Sequence, residues 1–339
     1  MNGQATVLGA TTTVVRTFPP DRPLPPAVRL VEVGLRDGLQ SLPAVLSTEQ
    51  KLALIDALLA AGVTSLQVAS FVNPVRVPQM ADADELSKRL APLLEGRPDV
   101  RLSGLALNRR GVERLAAAGL RHVDLSLSAS EPHSRRNAGM SVEEAEGHIR
   151  AAVGTAIGLG LEVRAGVQCV FGSAPGDEVP LERVLRLSET LIAAGATELA
   201  LADSAGLADP LRLATVVAAV QERVAPVAIT LHLHDTRGLG MANLVTALRL
   251  GIASFDTAFG GLGGCPFITG AAGNLGTEDV VFLFDSLGVN TGVDLLGVAR
   301  ATRLAEGWSA ASMPSRLYQL VKEGAIEPDE EEQRGTDGR

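Results

Sequence analysis

The sequence predicts an α/β protein built as a closed (β/α)8 barrel, and three observations carry that prediction. Short β-type runs alternate with longer helical patterns from residue 28 to residue 290. A helix, a glycine and a strand recur as one unit along that stretch. The turn after the first strand reads GLRDG, not the Gly-x-Gly-x-x-Gly that opens a doubly wound dinucleotide-binding sheet.

The strands are expected at residues 28–34 (VRLVEVG), 63–69 (VTSLQVA), 101–107 (RLSGLAL), 121–127 (RHVDLSL), 161–168 (LEVRAGVQ), 197–202 (TELALA), 227–233 (VAITLHL) and 252–257 (IASFDT). Their approaches read LLAAGVTSLQV, LAAAGLRHVDL, IGLGLEVRA, LIAAGATELAL and LRLGIASFD, each with a glycine where a helix ends in a left-handed residue. Ser47–Thr48 opens the first apolar helical stripe. Ser141 with Glu144 three residues on forms a capping box. Residues 1–27 carry FPPDRPLPP, whose prolines lack backbone donors, and form a disordered or loosely attached leader. Residues 291–323, with Trp308, are expected to pack as C-terminal helices on the barrel. Residues 324–339 form an acidic, disordered tail.

Composition narrows the function. Apolar residues make up 46% of the 339 and charged residues 20%, as in a globular protein with a substantial core. A net charge of −9 lacks the basic face that nucleic-acid binding requires. No run of eighteen apolar residues offers a membrane span, and the leader lacks the pattern of a secretory signal. Two cysteines, Cys169 and Cys265, cannot build a disulfide framework, which points to a reducing, cytoplasmic setting. A homodimer is the default expectation for such a chain.

Barrel enzymes gather their chemistry at the C-terminal ends of the strands. Four polar groups fall there: Arg36–Asp37 after the first strand, Asp203 after the sixth, His232 and His234 at the end of the seventh, and Cys265, Asn274 and Glu278 beyond the eighth. Residues i and i+2 of a strand share a face, so both imidazoles of His-x-His can reach one metal. With a carboxylate and an amide oxygen beside them, the donor set is mixed and fairly hard, suiting Mg²⁺ or Mn²⁺, with zinc possible. Asp37 then binds the cation and Arg36 faces an anion; the alternative is a structural ion pair. GGLGGCPFITGAAGN reads as a loop that closes over a site, with Cys265 a general acid or a small apolar filler. Cys169 keeps the filler reading, and His122, His133 and His148 have no partner at ligand spacing and are read as structural or surface groups.

The motifs VEVGLRDGLQ, SFVNPVRVPQMAD, HLHDTRG, GLGGCPF and GNLGTEDVVFLF, in this order, resemble the 3-hydroxy-3-methylglutaryl-CoA lyase family of metal-dependent TIM-barrel lyases. The resemblance runs from about Val28 to Gly307. It implies a divalent-metal site from Asp37, His232, His234 and Asn274, with Mg²⁺ or Mn²⁺ as cofactor. It further implies that Arg36 stabilises a thioester enolate, that Cys265 and His232 carry protons, and that Asp203 takes a catalytic part. Gln67, Ser70, Arg164 and Glu278 would line or support the site. The substrate would be a small-molecule acyl-CoA, cleaved to acetyl-CoA and acetoacetate as in leucine degradation and ketone-body formation.

Several positions depart from the family pattern, including stretches of TAFGGLGGCP and HDTRGLG near the loop and after the histidines. Gln67 is an amide where the family carries an acid, and Gly166 stands where an aromatic is usual. The departures keep open a lyase for another 3-hydroxyacyl-CoA, such as citramalyl-CoA or a longer-branched glutaryl-CoA. A Claisen-type condensing enzyme and a catalytically silent barrel remain as further alternatives.

Overall fold

The computed structural model describes residues 23–264 and 273–326. Eight parallel strands close a barrel in chain order, each bonded to its sequence neighbour and the last to the first. They are β1 (Arg29–Glu32), β2 (Ser65–Ser70), β3 (Arg101–Ala106), β4 (His122–Ser128), β5 (Glu162–Gln168), β6 (Glu198–Asp203), β7 (Ala228–Leu233) and β8 (Ser254–Thr257). Every expected strand is present. The surrounding helices are α1 (Thr48–Ala60), α2 (Ala83–Gly96), α3 (Arg109–Ala117), α4 (Glu131–Ala138), α5 (Val142–Gly158), α6 (Leu181–Ala193), α7 (Pro210–Val224), α8 (Gly240–Arg249) and α9 (Thr277–Ser286). None of the described helices is long and apolar enough to cross a membrane.

Local chemistry accounts for the repeat. Ser47 caps α1 by accepting from Gln50 N at 3.2 Å while the Gln50 side chain accepts from Ser47 N at 2.8 Å. Ser141 and Glu144 make the same reciprocal pair at α5. The helix-terminating glycine has to adopt positive φ, as Gly62 does at +84° and Gly195 at +111°. Between barrel and helices lies a continuous apolar core that includes Leu54, Leu58, Leu66, Leu102, Val123, Val163, Leu199 and Phe284.

Two helices follow the barrel: α10 (Leu295–Ser309) and α11 (Arg316–Lys322). They dock through Val298, Ala301, Thr302, Ala305 and the buried Tyr318. Trp308, expected to pack there, is instead 36% exposed, because the small residues of α10 already fill its inner face. The end of the leader is tied to the barrel: Asn290 N donates to Pro26 O at 3.0 Å and Val28 N to Asn290 O at 2.9 Å. Prolines accept as well as any residue through their carbonyls, so the lack of donors does not free this stretch.

Candidate active site at the barrel mouth

The chain leaves β1 in a single wide turn, Gly34–Gly38, in which the N–H groups of Arg36, Asp37 and Gly38 all donate to Val33 O. Glycine is required at its start, since a Cβ on Gly34 would lie 2.6 Å from Glu32 Oε1 and 2.7 Å from the Phe259 ring. The turn swings Arg36 and Asp37 over the barrel axis. Arg36 donates from NH1 to Asp37 Oδ1 at 2.5 Å and from Nε to Gln67 Oε1.

Across the mouth, His232 on β7 and His234 just beyond it face one another, Nε2 to Nε2 at 3.0 Å. Asn274 lies beside them, bridged to His234 through the backbone, and its Nδ2 donates to Asp37 Oδ2 at 2.9 Å and to Leu262 O at 3.0 Å. Ligand atoms of Asp37, His232 and His234 all fall within 4.8 Å of one another. Burial works to raise the Asp37 pKa, but Arg36 and His232 hold it below the usual carboxylate value. Burial, with the neighbouring His232, pushes His234 down to about 3, so it is a neutral donor at physiological pH.

Beneath this layer the barrel holds two acids, Asp124 and Asp256, that the sequence motifs do not mark. Gln67 Nε2 donates to Asp124 Oδ2 at 2.6 Å, as does Ser103 Oγ at 2.6 Å. Arg164 donates from Nε to Asp124 and from NH1 to Asp256 Oδ1 at 2.5 Å. Asp256 Oδ2 lies 3.2 Å from His232 Nδ1. The signal for both acids was available: a single carboxylate inside an apolar strand, HVDLSL and ASFDTA.

A divalent cation fits this arrangement on two counts besides the clustered donors. Asn274 Oδ1 is buried with no hydrogen-bond partner among the described residues, a vacancy a ligated cation would fill. Arg36 matches Asp37 and Arg164 is shared by Asp124 and Asp256, which leaves one carboxylate charge unmatched by an arginine beneath the two imidazoles.

Arg36, Asp37, Gln67, His232, His234 and Asn274 thus meet at one place, with Arg164 directly below. Other predicted residues serve elsewhere. Both Asp203 oxygens accept from backbone, from Leu207 N and Ala208 N at 2.9 Å each, pinning the turn after β6; burial raises its pKa. Glu278 on α9 accepts from Gly260 N at 3.0 Å and pairs with Thr302, bracing the root of the glycine-rich segment. Ser70 is buried with its Oγ unpartnered among the described residues. Cys265 lies outside the described residues. Gly166 faces the barrel interior two residues above Arg164, where the atoms nearest an added Cβ would be the Cβ atoms of Ser126 at 3.3 Å and Ala200 at 3.6 Å and Leu125 O at 3.7 Å.

Fold and mouth together define a (β/α)8-barrel enzyme whose strand ends bring Asp37, His232 and His234 to the spacing of metal ligands. A family model described as HMGL-like matches residues 27–305, and the chain belongs to that family. It is 37% identical over 300 residues to a hydroxymethylglutaryl-CoA lyase of Bacillus subtilis, covering 88% of this chain and 99% of that protein. It is 40% identical over 309 residues to the (R)-citramalyl-CoA lyase of Chloroflexus aurantiacus, covering 89% and 96%. The crystal structure of the Bacillus subtilis HMG-CoA lyase superposes with a TM-score of 0.83 at 37% identity, covering 89% of this chain and all of that one. An HMG-CoA lyase structure in complex with coenzyme A and 3-methylmalate superposes with a TM-score of 0.81 at 31% identity, covering 89% and 98%.

Proposed function

We propose that this chain is a divalent-cation-dependent carbon–carbon lyase that cleaves 3-hydroxy-3-methylglutaryl-CoA to acetyl-CoA and acetoacetate. The observation that carries the reading is the meeting of Asp37, His232, His234 and Asn274 beside Arg36 at the strand ends.

Asp37, the two imidazoles and the Asn274 oxygen would hold Mg²⁺ or Mn²⁺. When bound, such an ion supplies a Lewis acid that acidifies the substrate hydroxyl and orients its neighbouring groups. Arg36 is clamped by Asp37 and Gln67, and its remaining terminal nitrogen has no partner among the described residues. That edge meets the oxyanion as the bond between C2 and C3 breaks and the thioester enolate forms. The hydroxyl proton leaves to solvent as the ketone of acetoacetate forms, and Cys265 would return a proton to the enolate carbon, giving the methyl group of acetyl-CoA. His232 cannot be ligand and base at once: Nδ1 faces Asp256 and Nε2 faces the pocket. We therefore assign it to the cation.

A second reading replaces the substrate by citramalyl-CoA. It is favoured by the relative of that name at 40% identity and by Gln67, a neutral partner for Arg36. The test is release of acetyl-CoA from a panel of 3-hydroxyacyl-CoA thioesters with Mn²⁺ and again with chelator. Turnover of the glutaryl thioester that disappears with chelator supports the first reading. Turnover of citramalyl-CoA alone selects the second, and turnover indifferent to chelator removes the cation from both.

A further inference from the structure

The two groups flanking the cation pocket, Arg36 and His232, come from opposite ends of the barrel sequence, yet one unbroken chain of hydrogen bonds joins them beneath the site. It runs from Arg36 Nε to Gln67 Oε1, from Gln67 Nε2 to Asp124, from Arg164 to both Asp124 and Asp256, and from Asp256 to His232 Nδ1. Strand register builds it. Asp124 lies directly opposite Arg164 on the neighbouring strand, and His232 directly opposite Asp256. Gln67, Asp124, Arg164 and Asp256 are each no more than 6% exposed.

Each link has one sensible direction. A guanidinium only donates and an ionised carboxylate only accepts, so the Arg164 contacts are fixed. Arg164 NH1 donates to Asp256 Oδ1 at 2.5 Å, a charge-assisted pair that holds this buried group as a carboxylate. An ionised Asp256 attracts His232 Nδ1 only if that nitrogen carries the proton, which leaves the lone pair on Nε2, the atom aimed at the pocket. At the other end, Asp124 can only accept, so the Gln67 amide must present its NH₂ there and its oxygen to Arg36. His234 has no such support, for its buried Nδ1 has no partner among the described residues.

We infer that Asp256, anchored by Arg164, is a positioning residue that holds His232 with its proton on Nδ1, and that the same arginine sets the angle of Arg36 through Asp124 and Gln67. The inference rests on the lyase reading for its purpose, but its geometry can be tested without turnover.

The test uses full-length protein labelled with ¹⁵N-histidine, metal-free at pH 8, with the His232 signals assigned by their loss in His232→Asn. Wild type is expected to show His232 as the Nδ1–H tautomer. In Asp256→Asn, whose amide can turn a donor toward Nδ1, the Nε2–H form appears. Mn²⁺ affinity falls about 10- to 100-fold, and kcat falls by a similar factor while KM for the thioester moves less than about threefold. Asp124→Asn removes an equally buried partner of Arg164 and is expected to leave the His232 tautomer unchanged. A wild-type His232 protonated on Nε2 would overturn the inference even if neither variant folds. So would an Asp256→Asn protein with wild-type tautomer and Mn²⁺ affinity, or an Asp124→Asn protein whose tautomer shifts as far. If tautomer and Mn²⁺ results hold while no thioester is cleaved, the lyase reading alone fails.

Discussion

The barrel carries a charged cluster at each end, and the two are built on opposite terms. At the N-terminal end, Glu198 accepts from Arg29 NH2 at 2.5 Å, Arg101 NH1 at 3.0 Å and Thr230 Oγ1 at 2.6 Å, and Ser254 completes the ring through Arg29 and Thr230. These groups satisfy one another; His122 Nδ1 at the same end makes no hydrogen bond among the described residues but lies 3.4 Å from Glu162 Oε2. At the C-terminal end, Asn274 Oδ1 and His234 Nδ1 are buried without partners among the described residues, and two imidazole nitrogens crowd to 3.0 Å. A buried polar atom left unmade costs roughly 1–3 kcal/mol. The contrast separates a cluster closed by charge pairing around Glu198 from one whose buried amide oxygen and imidazole nitrogen stay open.

Four substitutions or titrations can break this contrast. The largest effect is expected from Asp37→Ala, which removes a proposed ligand and the anchor of Arg36. Thioester cleavage should fall by at least about a hundredfold, measured as kcat, with the melting temperature little changed. A variant that keeps its rate would move the reaction elsewhere. Glu198→Gln should do the reverse: it removes the charge that two arginines share, at about 3 kcal/mol in denaturant unfolding, with kcat per folded molecule preserved. Next comes Mn²⁺ itself. At a hundred times its dissociation constant it should stabilise wild type by about 2.7 kcal/mol and leave the melting curve of His234→Ala where it was.

The smallest effect concerns pH. Burial pushes Glu278 up to about 7, against its ordinary 4.5. The unfolded chain ionises above 4.5 while the folded protein keeps the proton, so this contribution is complete below pH 4.5 and is lost as pH rises toward 7. Across one pH unit near 6, wild type should lose about 1 kcal/mol that Glu278→Gln does not lose, as read by unfolding at the two pH values. Glu32, raised to about 8 by the same burial, adds a slope of the same sign in both proteins.

The comparison also shows what the sequence discloses. Period, caps and glycines reveal the eight strands, because each depends on residues a few positions apart. His-x-His and Arg36–Asp37 are legible for the same reason. The lower layer is harder to read, since Asp124 meets Arg164 and Asp256 meets His232 only through the sideways register of strands, which closure of the barrel sets. Asp203 illustrates the reverse limit: the sequence puts an acid at a strand end, and only the structure shows each of its oxygens accepting from a backbone amide, Leu207 and Ala208. The C-terminal helices were placed by their apolar stripe, yet the stripe overstated Trp308, whose neighbours on α10 bury the smaller residues instead.

Where the glycine-rich segment departs and returns, its two ends clasp: a Cβ on Gly273 would lie 2.1 Å from Gly261 O, and one on Gly263 2.2 Å from Asn274 Nδ2. A side chain at position 263 would drive the Asn274 amide off Asp37, and one at 273 would press on the Gly261 carbonyl. Bare backbone at both positions is thus a condition for amide and carboxylate to stay in register, and Gly263→Ala or Gly273→Ala perturbs the mouth without replacing any of its side chains.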